Sequence, residues 1–585
     1  MAEFKQGVLT AQGTALLAKV QAGKANITFT KFQIGDGAWP SDTSQATLIQ
    51  TTALKNKKGE YGISKAEYVN DATSLLTLVA SNINNTTAGY YIREVGVFAT
   101  DGTTEVLYAI YITEPDKGDW FPAYNSITPS SVTYQCPISV ANAASVTVNA
   151  NSGGVATQEE MNQVQDKIAD LQGYVGYSDD GIYGVEADFV NKRFTRLAAA
   201  VGKTGGADFD SIKAFGGRRR CNLADDGTVN AYYGDEGYAE DGTNGQVMVE
   251  QPAYYYKVVP LQVEKAAHGK GYVVRKARYY VSDTPHAGFK YHPAFVVDET
   301  KLDKIFLAAF EGSVYDTSAA AYILDDAQVA DFAADMLSSI AGAKPASGLT
   351  QNLTRGNTRK LAQKRGSGWE QSYAHTISAT QMLMLIEYAS FNMQAAIGDG
   401  AVNKKDDGAT NMAEPTGTTS SLGNASGVVT NANGIKIVSY RGEENLWGNI
   451  WKWMDGMNIS NPTSFTEGMA GNVYVADHGF ADDISAAPYK DTGFGAAFSN
   501  WAYISAFAYS EEFDWLFIPS ETKGNSSLPV GDCYQNINTG WRVARLGAGW
   551  NYGSAAGPFF LGLDSSSGNR GRFLGGRLVY RKLAA

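Results

Sequence analysis

The sequence predicts a multidomain α+β protein with a β-rich N-terminal domain, a short helical segment and a larger α+β C-terminal region. Three observations predict this organisation. The chain has 585 residues, which is too many for one hydrophobic core. Its residues are 44% hydrophobic and 12% aromatic but only 18% charged, a composition that suits well-packed cores joined by many polar turns. The spacing of apolar residues also changes from strand alternation to helical spacing near residue 160.

Residues 1–152 form the predicted β-rich domain, which also contains one short helix from Thr10 to Val20. Strand patterns follow that helix at Ile27–Ile34, Leu75–Ser81, Tyr91–Ala99, Val106–Ile112, Val132–Val140 and Val146–Asn149. Asp101-Gly102 separates two of these strands and predicts a hairpin, because glycine supplies the positive φ that the turn needs.

Two motifs of this domain carry a family resemblance. They are Phe32–Gly37, which reads FQIGDG, and Tyr91–Ala99, which reads YIREVGVFA. They resemble the N-terminal domain of phage tail-collar fibre proteins, and the resemblance spans most of the first 150 residues. In that family the domain fixes the fibre to the baseplate, so the resemblance implies a particle-attachment domain that contacts baseplate or tail proteins. Taken without the family, the residues indicate a β-domain of unspecified role.

Residues 153–204 are predicted to be a helical, coiled-coil-like neck. Thr157 and Glu160 have the spacing of a capping box, which starts a helix. Apolar residues then recur at spacings of three and four in two stretches: Met161, Val164, Ile168 and Leu171, then Val190, Phe194, Leu197 and Val201. Two heptads are too few to hold a coiled coil alone, but they suffice in an oligomer whose ends are held together. We therefore expect a homotrimeric neck; the alternative is helices packed on their own domain.

Residues 205–585 mix strand and helix patterns, which predicts an α+β region. Its clearest helix is predicted at Ala379–Ile397, between a capping box that begins at Ser378 and a terminal glycine at Gly398. Residues 399–434 are rich in Gly, Asn, Thr and Ser, so they are predicted to be a long insertion or loop.

The segment 533–582 is rich in the residue types that recognition surfaces use. Tyr, Ser, Asn, Gly and Arg combine rigid aromatic area with adaptable hydrogen bonding. After Asp532 the only acidic residue is Asp564, against seven basic ones: Arg542, Arg545, Arg570, Arg572, Arg577, Arg581 and Lys582. Such an excess of positive charge at the end of an acidic chain predicts an anionic partner. The alternative from composition alone is a Gly-rich hairpin that caps a domain.

This segment also carries a second resemblance. Its Gly540-Trp541-Arg542 opening, its Gly547–Asn551 turn and its terminal Gly575–Leu578 strand resemble the C-type lectin-like fold of phage receptor-binding proteins, the family of the major tropism determinant and retroelement-diversified variable proteins. The upstream segment Tyr440–Trp451, followed by Asp455-Gly456, resembles core strands of the same domain.

The second resemblance implies that residues 205–585 are a C-type lectin-like receptor-binding domain whose final hairpin, 533–582, displays the contact residues. The receptor-binding residues it implies are Asn551, Tyr552, Ser554, Asp564, Ser565, Ser566, Ser567, Asn569, Arg570 and Arg572. The residues expected to form the structural core beneath them are Trp541, Trp550, Phe560 and Arg577. We expect Arg577 to make a fixed buried hydrogen bond near the terminal strand.

Composition argues against several function classes. The net charge of −12 disfavours general nucleic-acid binding, and no apolar run approaches the about 20 residues that span a bilayer. The N-terminus lacks a basic-then-apolar signal pattern, so we expect synthesis in a host cytoplasm and release on a virion or phage-tail-like particle. The three cysteines and five histidines are scattered, which predicts no disulfide framework, no metal and no cofactor.

An enzyme and a purely structural baseplate component are the competing interpretations. A depolymerase that cuts surface polysaccharide needs two carboxylates on one site, but Glu443 and Glu444, like Asp482 and Asp483, are sequence neighbours that a strand would point to opposite faces. The lectin-like fold also resembles formylglycine-generating enzymes, which rely on paired cysteines, and Cys533 has no partner nearby in sequence. We therefore predict a non-enzymatic adhesin whose partner is a host cell-surface glycan, a teichoic-type polymer or a surface protein.

Overall fold

The structure is a computed structural model that describes residues 4–70, 73–85, 88–124, 130–140, 147–148, 167–168, 171–178, 181–323, 330–346, 352–405 and 412–581. The chain divides into two compact units, Met1–Lys167 and Ile168–Ala585. Both are rich in β-structure and contain few helices. Within the described ranges, no helix combines the length and apolar character that crossing a membrane requires.

The first unit consists of two helices and eleven strands in its described part. The helices are α1 (Ala11–Gln21) and α2 (Gln45–Ile49). The strands are β1 (Val8–Leu9), β2 (Thr28–Gly35), β3 (Lys57–Tyr61), β4 (Lys65–Asn70), β5 (Thr73–Ser81), β6 (Tyr90–Ile92), β7 (Glu94–Thr100), β8 (Glu105–Ile112), β9 (Asp119–Phe121), β10 (Ser131–Ser139) and β11 (Thr147–Val148). The larger sheet has the order β1-β8-β7-β2-β11 with β3 on β2, and a second sheet has the order β10-β5-β4.

The predicted helix and strands of this unit are confirmed to within a few residues. Helix α1 begins after Thr10, whose hydroxyl accepts a hydrogen bond from the backbone N–H of Gly13, the bond expected of an N-cap. Phe29 and Phe32 of β2 are both fully buried although they are three residues apart, since the register of β2 against β7 shifts between Phe29 and Lys31.

Glu94 shows why the Tyr91–Ala99 motif carries a charged residue. Its carboxylate is fully buried and accepts hydrogen bonds from Trp39 Nε1 at 2.9 Å and from the backbone N–H groups of Lys55 at 3.0 Å and Asn56 at 2.8 Å. A buried carboxylate with several donors is fully satisfied, and here it joins the start of β7 to two loops.

The second unit contains four labelled helices and most of the strands. The helices are α3 (Lys213–Gly216), α4 (Arg355–Gln363), α5 (Ala374–Tyr388) and α6 (Met393–Ala396). The strands up to the helices are β12 (Ile182–Asp188), β13 (Arg193–Ala198), β14 (Arg219–Leu223), β15 (Val229–Tyr232), β16 (Gln246–Pro252), β17 (Tyr255–Lys265), β18 (Tyr272–Ser282), β19 (Lys290–Tyr291), β20 (Val296–Val297), β21 (Thr300–Lys301), β22 (Lys304–Ala308), β23 (Ser313–Asp316), β24 (Ala321–Ile323) and β25 (Met336–Ser338). The remaining strands are β26 (Trp369–Gln371), β27 (Gly427–Thr430), β28 (Lys436–Tyr440), β29 (Glu443–Glu444), β30 (Trp451–Asn461), β31 (Ala470–Val475), β32 (Lys490–Ala497), β33 (Ser499–Tyr503), β34 (Ala506–Tyr509), β35 (Pro519–Glu521), β36 (Cys533–Asn536), β37 (Gly540–Leu546), β38 (Leu561–Ser565), β39 (Leu574–Gly575) and β40 (Leu578–Tyr580).

Three large sheets organise this unit. The first has the order β13-β12-β18-β17-β19 with β34 and β35 added, and the second has the order β15-β14-β16-β22-β40-β26. The third has the order β32-β31-β30-β37-β38-β36-β33, with β39 on β30. The last described strand of the chain, β40, lies between β22 and β26, so the C-terminal segment is built into the interior of a sheet.

Helix α5 packs within the core of this unit. Almost all of its residues are buried, including Met382, Leu385 and Ile386. Polar residues of the helix are buried as well, and Gln381 donates a hydrogen bond to the carbonyl oxygen of Pro558 at 2.7 Å. The helix differs from its prediction of Ala379–Ile397: it begins five residues earlier and ends at Tyr388, and the next residue, Ala389, adopts a left-handed φ of 48°.

The second half of the predicted helical neck is wrong. Val190, Phe194, Leu197 and Val201 lie in or next to a β-hairpin formed by β12 and β13, not in a helix. The hairpin turn is fixed by Asp188, which accepts a hydrogen bond from the backbone N–H of Asn191 at 2.8 Å. Strand β12 also pairs along its length with β18, and this long-range pairing overrides the helical spacing of the apolar residues.

The first half of the predicted neck is only partly described. Met161 and Val164 lie outside the described residues. Ile168 and the residue before it are helical, and Leu171 is the first of the helical residues 171–175. Ile168 is 50% exposed and Leu171 is 64% exposed. The trimeric neck remains a prediction.

Candidate functional site

The predicted recognition segment is built on the antiparallel pair β37 and β38. Leu546 pairs with Leu561 and Arg545 with Gly562, while β36 runs parallel to β38 on its other side. Gly562 is required by close packing, since a Cβ there would lie 2.8 Å from Nε of Arg545. The connection between β37 and β38 carries Trp550, Tyr552 and Ser554, so the sheet positions these residues from both ends.

A buried carboxylate fixes the end of that connection. Asp532 is 1% exposed, and its Oδ2 accepts a hydrogen bond from the backbone N–H of Phe559 at 2.7 Å. Burial raises the pKa of Asp532 well above its usual range. The neighbouring thiol of Cys533 is also buried, which raises its pKa to about 12, so it stays protonated near neutral pH.

Four aromatic side chains converge where the connection meets the edge of the sheet; we call them the aromatic cluster. Tyr552 is half-buried, and its ring centroid lies 5.3 Å from that of Trp451 and 5.1 Å from that of Trp501. Trp451 and Phe560 are fully buried beneath it. Trp501 is 42% exposed, which makes it the open face of the cluster.

Trp501 is a surface residue that the sequence predictions missed. It has a left-handed φ of 61°, a conformation that a bulky non-glycine residue rarely adopts. It also lies at a β-bulge, because the pairing of β33 with β36 shifts register between Ser499 and Ala502. Bulges commonly re-aim a side chain next to a functional site, and strained backbone is concentrated at such sites. In the sequence, Trp501 and Tyr503 are two residues apart in the segment SNWAY, a spacing that places both side chains on one face of a strand. That spacing is the signal that could have predicted an aromatic surface here.

Polar groups border the aromatic cluster. Ser554 and Tyr503 share a hydrogen bond of 3.1 Å between their hydroxyls, and Asn551 is exposed beside Tyr552. Arg545 Nη2 donates to Asp564 Oδ1 at 2.9 Å, and its guanidinium stacks over Trp451 with 4.4 Å to the ring centroid. The predicted contact residues Asn551, Tyr552 and Ser554 therefore belong with the cluster, and Asp564 is held by Arg545 below it.

The other predicted contact residues have partners elsewhere in the second unit. Arg570 donates to Oδ1 of Asn352 at 3.0 Å, Ser567 hydrogen-bonds Asp483, and Arg572 lies over the Trp550 ring. Asn569 Nδ2 donates to Ser565 Oγ at 3.1 Å. Ser566 is exposed, whereas Ser565 is only 2% exposed and so does not offer the contact surface predicted for it.

The residues expected in the core are mostly buried. Trp550 is 2% exposed and Phe560 is fully buried. Arg577 is 4% exposed and donates to the carbonyl oxygens of Glu444 and Ala308, both at 2.6 Å. Trp541 differs, because it is half-exposed and meets Tyr474 with 6.0 Å between ring centroids. Trp541 lies near the start of β37, before the buried residues Val543–Leu546, and this position explains the difference.

The basic residues of this segment are divided between the interior and the surface. Arg545, Arg577 and Arg581 are buried, and Arg581 donates to the hydroxyl of Tyr373 at 3.1 Å. Burial lowers the pKa of Arg577, with Glu443, Glu311 and Glu444 opposing that shift. Arg570 is exposed, Arg542 and Arg572 are half-exposed, and Lys582 lies outside the described residues. The positive surface is therefore smaller than the sequence count predicted.

The carboxylates considered for polysaccharide cleavage are held in structural bonds. Glu443 pairs with buried Arg218, and Glu444 accepts from the hydroxyl of Thr419 at 2.7 Å. Asp482 bridges to Arg359 at 2.6 Å, and Asp483 accepts from Ser567. Each of these side chains already has a partner that fixes the fold.

Comparison with known proteins identifies the first unit. Residues 1–159 match the family model described as phage tail-collar fibre protein, N-terminal. The resemblance predicted from the motifs of the first domain is thereby confirmed for residues 1–159. No curated protein sequence matches the chain.

A solved structure is also similar, the Major Tropism Determinant U1 variant, at 12% identity and a TM-score of 0.20. The match covers 62% of this chain and 71% of that chain. A similarity of this size does not establish a shared fold, so the lectin-like architecture stays a prediction.

Proposed function

We propose that this chain is a receptor-binding tail fibre protein of a phage or phage-tail-like particle. Its first unit attaches to the baseplate, and its second unit, with a C-type lectin-like architecture, adheres to a host cell surface. The observation that carries the proposal is the match of residues 1–159 to the tail-collar fibre family. The remaining chain is then the part of a fibre that is free to meet a host.

The proposed receptor site is the aromatic cluster with its polar border. Trp501 and Tyr552 supply rigid aromatic area, and Asn551 and Ser554 supply hydrogen-bonding groups next to it. Interfaces bind mainly through a few such aromatic anchors surrounded by polar residues. The chemistry fits a cell-surface glycan, a teichoic-type polymer or a surface protein. Arg570 and Arg572 add positive charge for an anionic receptor.

A homotrimer is proposed for the assembled fibre. Four of the fifteen large apolar side chains that are exposed in the described residues lie within eight residues of one another: Ile168, Leu171, Tyr174 and Val175. This local concentration of exposed apolar side chains supports a contact with another chain. Light scattering of the purified chain should give about three times 62.7 kDa, and a monomer at micromolar concentration would refute the trimer. Three sites on one fibre would gain avidity of roughly 10² to 10⁴ on a repetitive surface.

The receptor site is tested by paired measurements of host-cell binding and thermal stability. Tyr552→Ala and Arg570→Ala should each weaken binding by about 1–3 kcal/mol with little change in melting temperature. Trp550→Ala should instead loosen the second unit, because removing a buried aromatic side chain costs about 3–5 kcal/mol. If Tyr552→Ala and Arg570→Ala both fold and bind normally, the receptor site lies elsewhere, and the insertion at 399–434 is the next candidate.

A further inference from the structure

A concave site lies in the second unit among residues to which the proposed function gives no role. It is a cavity of about 530 Å³, within the range of about 300–1,000 Å³ typical of small-molecule pockets. Three buried aromatic residues that line it are Tyr489, Phe513 and Trp515. None of the residues that line the cavity belongs to the aromatic cluster or to the predicted recognition segment.

A buried histidine also lines the cavity. His375 is 7% exposed, and its ring centroid lies 4.4 Å from that of Trp515 with a tilt of 34°. Its Nδ1 is buried and has no hydrogen-bond partner among the described residues. Burial lowers the pKa of His375 to about 4, so the ring is neutral near pH 7. Buried polar atoms are rarely left unpaired in proteins, so this unpaired nitrogen is an uncommon feature of a residue that lines the cavity.

The rim of the cavity is formed in part by the two-residue turn between β20 and β21. The turn residues Asp298 and Glu299 both have positive φ, 44° and 66°, the geometry of a type I′ turn. Such turns strongly prefer Asn-Gly or Asp-Gly. Asp298 is therefore a usual residue at its position, whereas Glu299 stands where turn stability alone favours glycine.

The charges around the cavity are predominantly negative. Four carboxylates line it, against the single ammonium group of Lys490: those of Asp298, Glu299, Asp477 and Glu512. Asp477 accepts from the backbone N–H of Asp298 at 3.2 Å and pairs with His478 at 2.6 Å, while Lys490 lies 3.6 Å from Glu512. Within the described ranges, no hydrogen bond or ion pair engages the carboxylate of Glu299, so it is available to a ligand.

We propose that this cavity binds a cationic amino sugar, a protonated primary amine carried on a hydroxylated ring. The aromatic walls offer an apolar surface for the C–H face of a ring, and Trp515 adds attraction for a nearby cation. The carboxylates of Glu299 and Asp298 receive the ammonium group in charge-assisted hydrogen bonds. The site is separate from the proposed receptor surface and does not depend on the receptor's identity.

The binding test uses the full chain and three probes, glucosamine, glucose and N-acetylglucosamine, measured by saturation-transfer NMR and calorimetry. We expect saturable binding of glucosamine, with glucose and N-acetylglucosamine at least about tenfold weaker because they lack the ammonium group. Glu299→Gln should weaken glucosamine binding at least about tenfold, whereas Glu467→Gln, which removes an exposed charge elsewhere in the unit, should not.

A second variant separates binding from folding. Asp298→Asn combined with Glu299→Gly installs the preferred type I′ pair, so the melting temperature should rise while glucosamine binding is lost. Three results would overturn the proposal. They are no saturable glucosamine binding up to about 10 mM, equal binding of glucose and glucosamine, or equal effects of the Glu299→Gln and Glu467→Gln variants.

Discussion

Two sets of arginines in the same C-terminal segment serve different purposes. Arg545, Arg577 and Arg581 are buried and donate hydrogen bonds that hold strands and loops together. Arg570 is exposed and donates to Asn352, and Arg572 is half-exposed and lies over the ring of Trp550. The difference teaches that a run of positive charge in a sequence does not measure positive charge at a surface. Guanidinium groups satisfy backbone carbonyls inside a fold as readily as they meet an anionic partner.

The largest effect should come from removing the most deeply engaged of the buried set. Arg577→Met should destabilise the second unit by about 3–5 kcal/mol, because three carbonyl oxygens lose a donor and nearby carboxylates lose a compensating charge. Urea unfolding followed by tryptophan fluorescence measures this, since eight of the ten tryptophans lie in the second unit.

The matched control for this prediction is Arg542→Met. Arg542 is half-exposed, and its guanidinium donates only to the neighbouring carbonyl of Trp541 at 2.7 Å within the described residues. We expect a change within about 0.5 kcal/mol. Equal destabilisation by the two variants would remove the distinction between buried and surface arginines.

The strands of the first unit could be predicted because their signals are local. Alternating apolar residues mark these strands, and the Asp101-Gly102 turn fixes the pairing of β7 with β8 at short range. The second neck helix could not be predicted correctly, because the spacing of Val190 and Phe194 suits a helix whereas pairing of β12 with β18, some ninety residues away, decides the outcome. Long-range pairing of this kind leaves no mark in a local window.

The candidate site was predicted in part for a similar reason. Tyr552 and Ser554 stand out by residue type within the terminal segment, whereas Trp501 joins them only through the sheet order β38-β36-β33 and a bulge. Ser565 has the right residue type but points into a buried position. Composition identifies which residues are suited to recognition, and the sheet decides which of them reach the surface.

A smaller effect is expected when the exposed aromatic side chain of the cluster, Trp501, is removed. Trp501→Ala should weaken host-cell binding by about 1–3 kcal/mol, since it removes the open face of the aromatic cluster. Its stability should change little compared with a core variant, because Trp501 is 42% exposed. Binding to host cells and melting temperature are measured together.

Trp541→Ala is the control for this variant, since Trp541 is another partly exposed tryptophan of the same sheet and contacts Tyr474 rather than the cluster. It should leave binding unchanged. Equal loss of binding in both variants would mean that loosening of the sheet, rather than loss of a contact, explains the effect.

The smallest effect concerns a buried lysine next to the buried arginines. Lys452 is 2% exposed and lies 3.0 Å from Glu311, and burial lowers its pKa to about 8. The folded state then holds fewer protons than the unfolded state between about pH 8 and the ordinary lysine pKa of about 10.4. The contribution of Lys452 to stability should therefore rise with pH across this window, by at most about 1.4 kcal/mol per pH unit.

This slope is isolated by comparing the chain with its Lys452→Met variant between about pH 8 and 9.5. Three buried thiols act in the opposite sense in both proteins. Burial raises the pKa of Cys136, Cys221 and Cys533 to about 12, so the unfolded state loses these protons first and the free energy of unfolding falls as pH rises through about 9. Their effect cancels in the difference. A steeper rise in the unfolding free energy of the parent chain supports a lysine that loses its proton inside the fold. Parallel curves of unfolding free energy against pH would mean that Glu311 keeps Lys452 charged. Lys452 would then resemble the buried arginines in staying charged inside the fold.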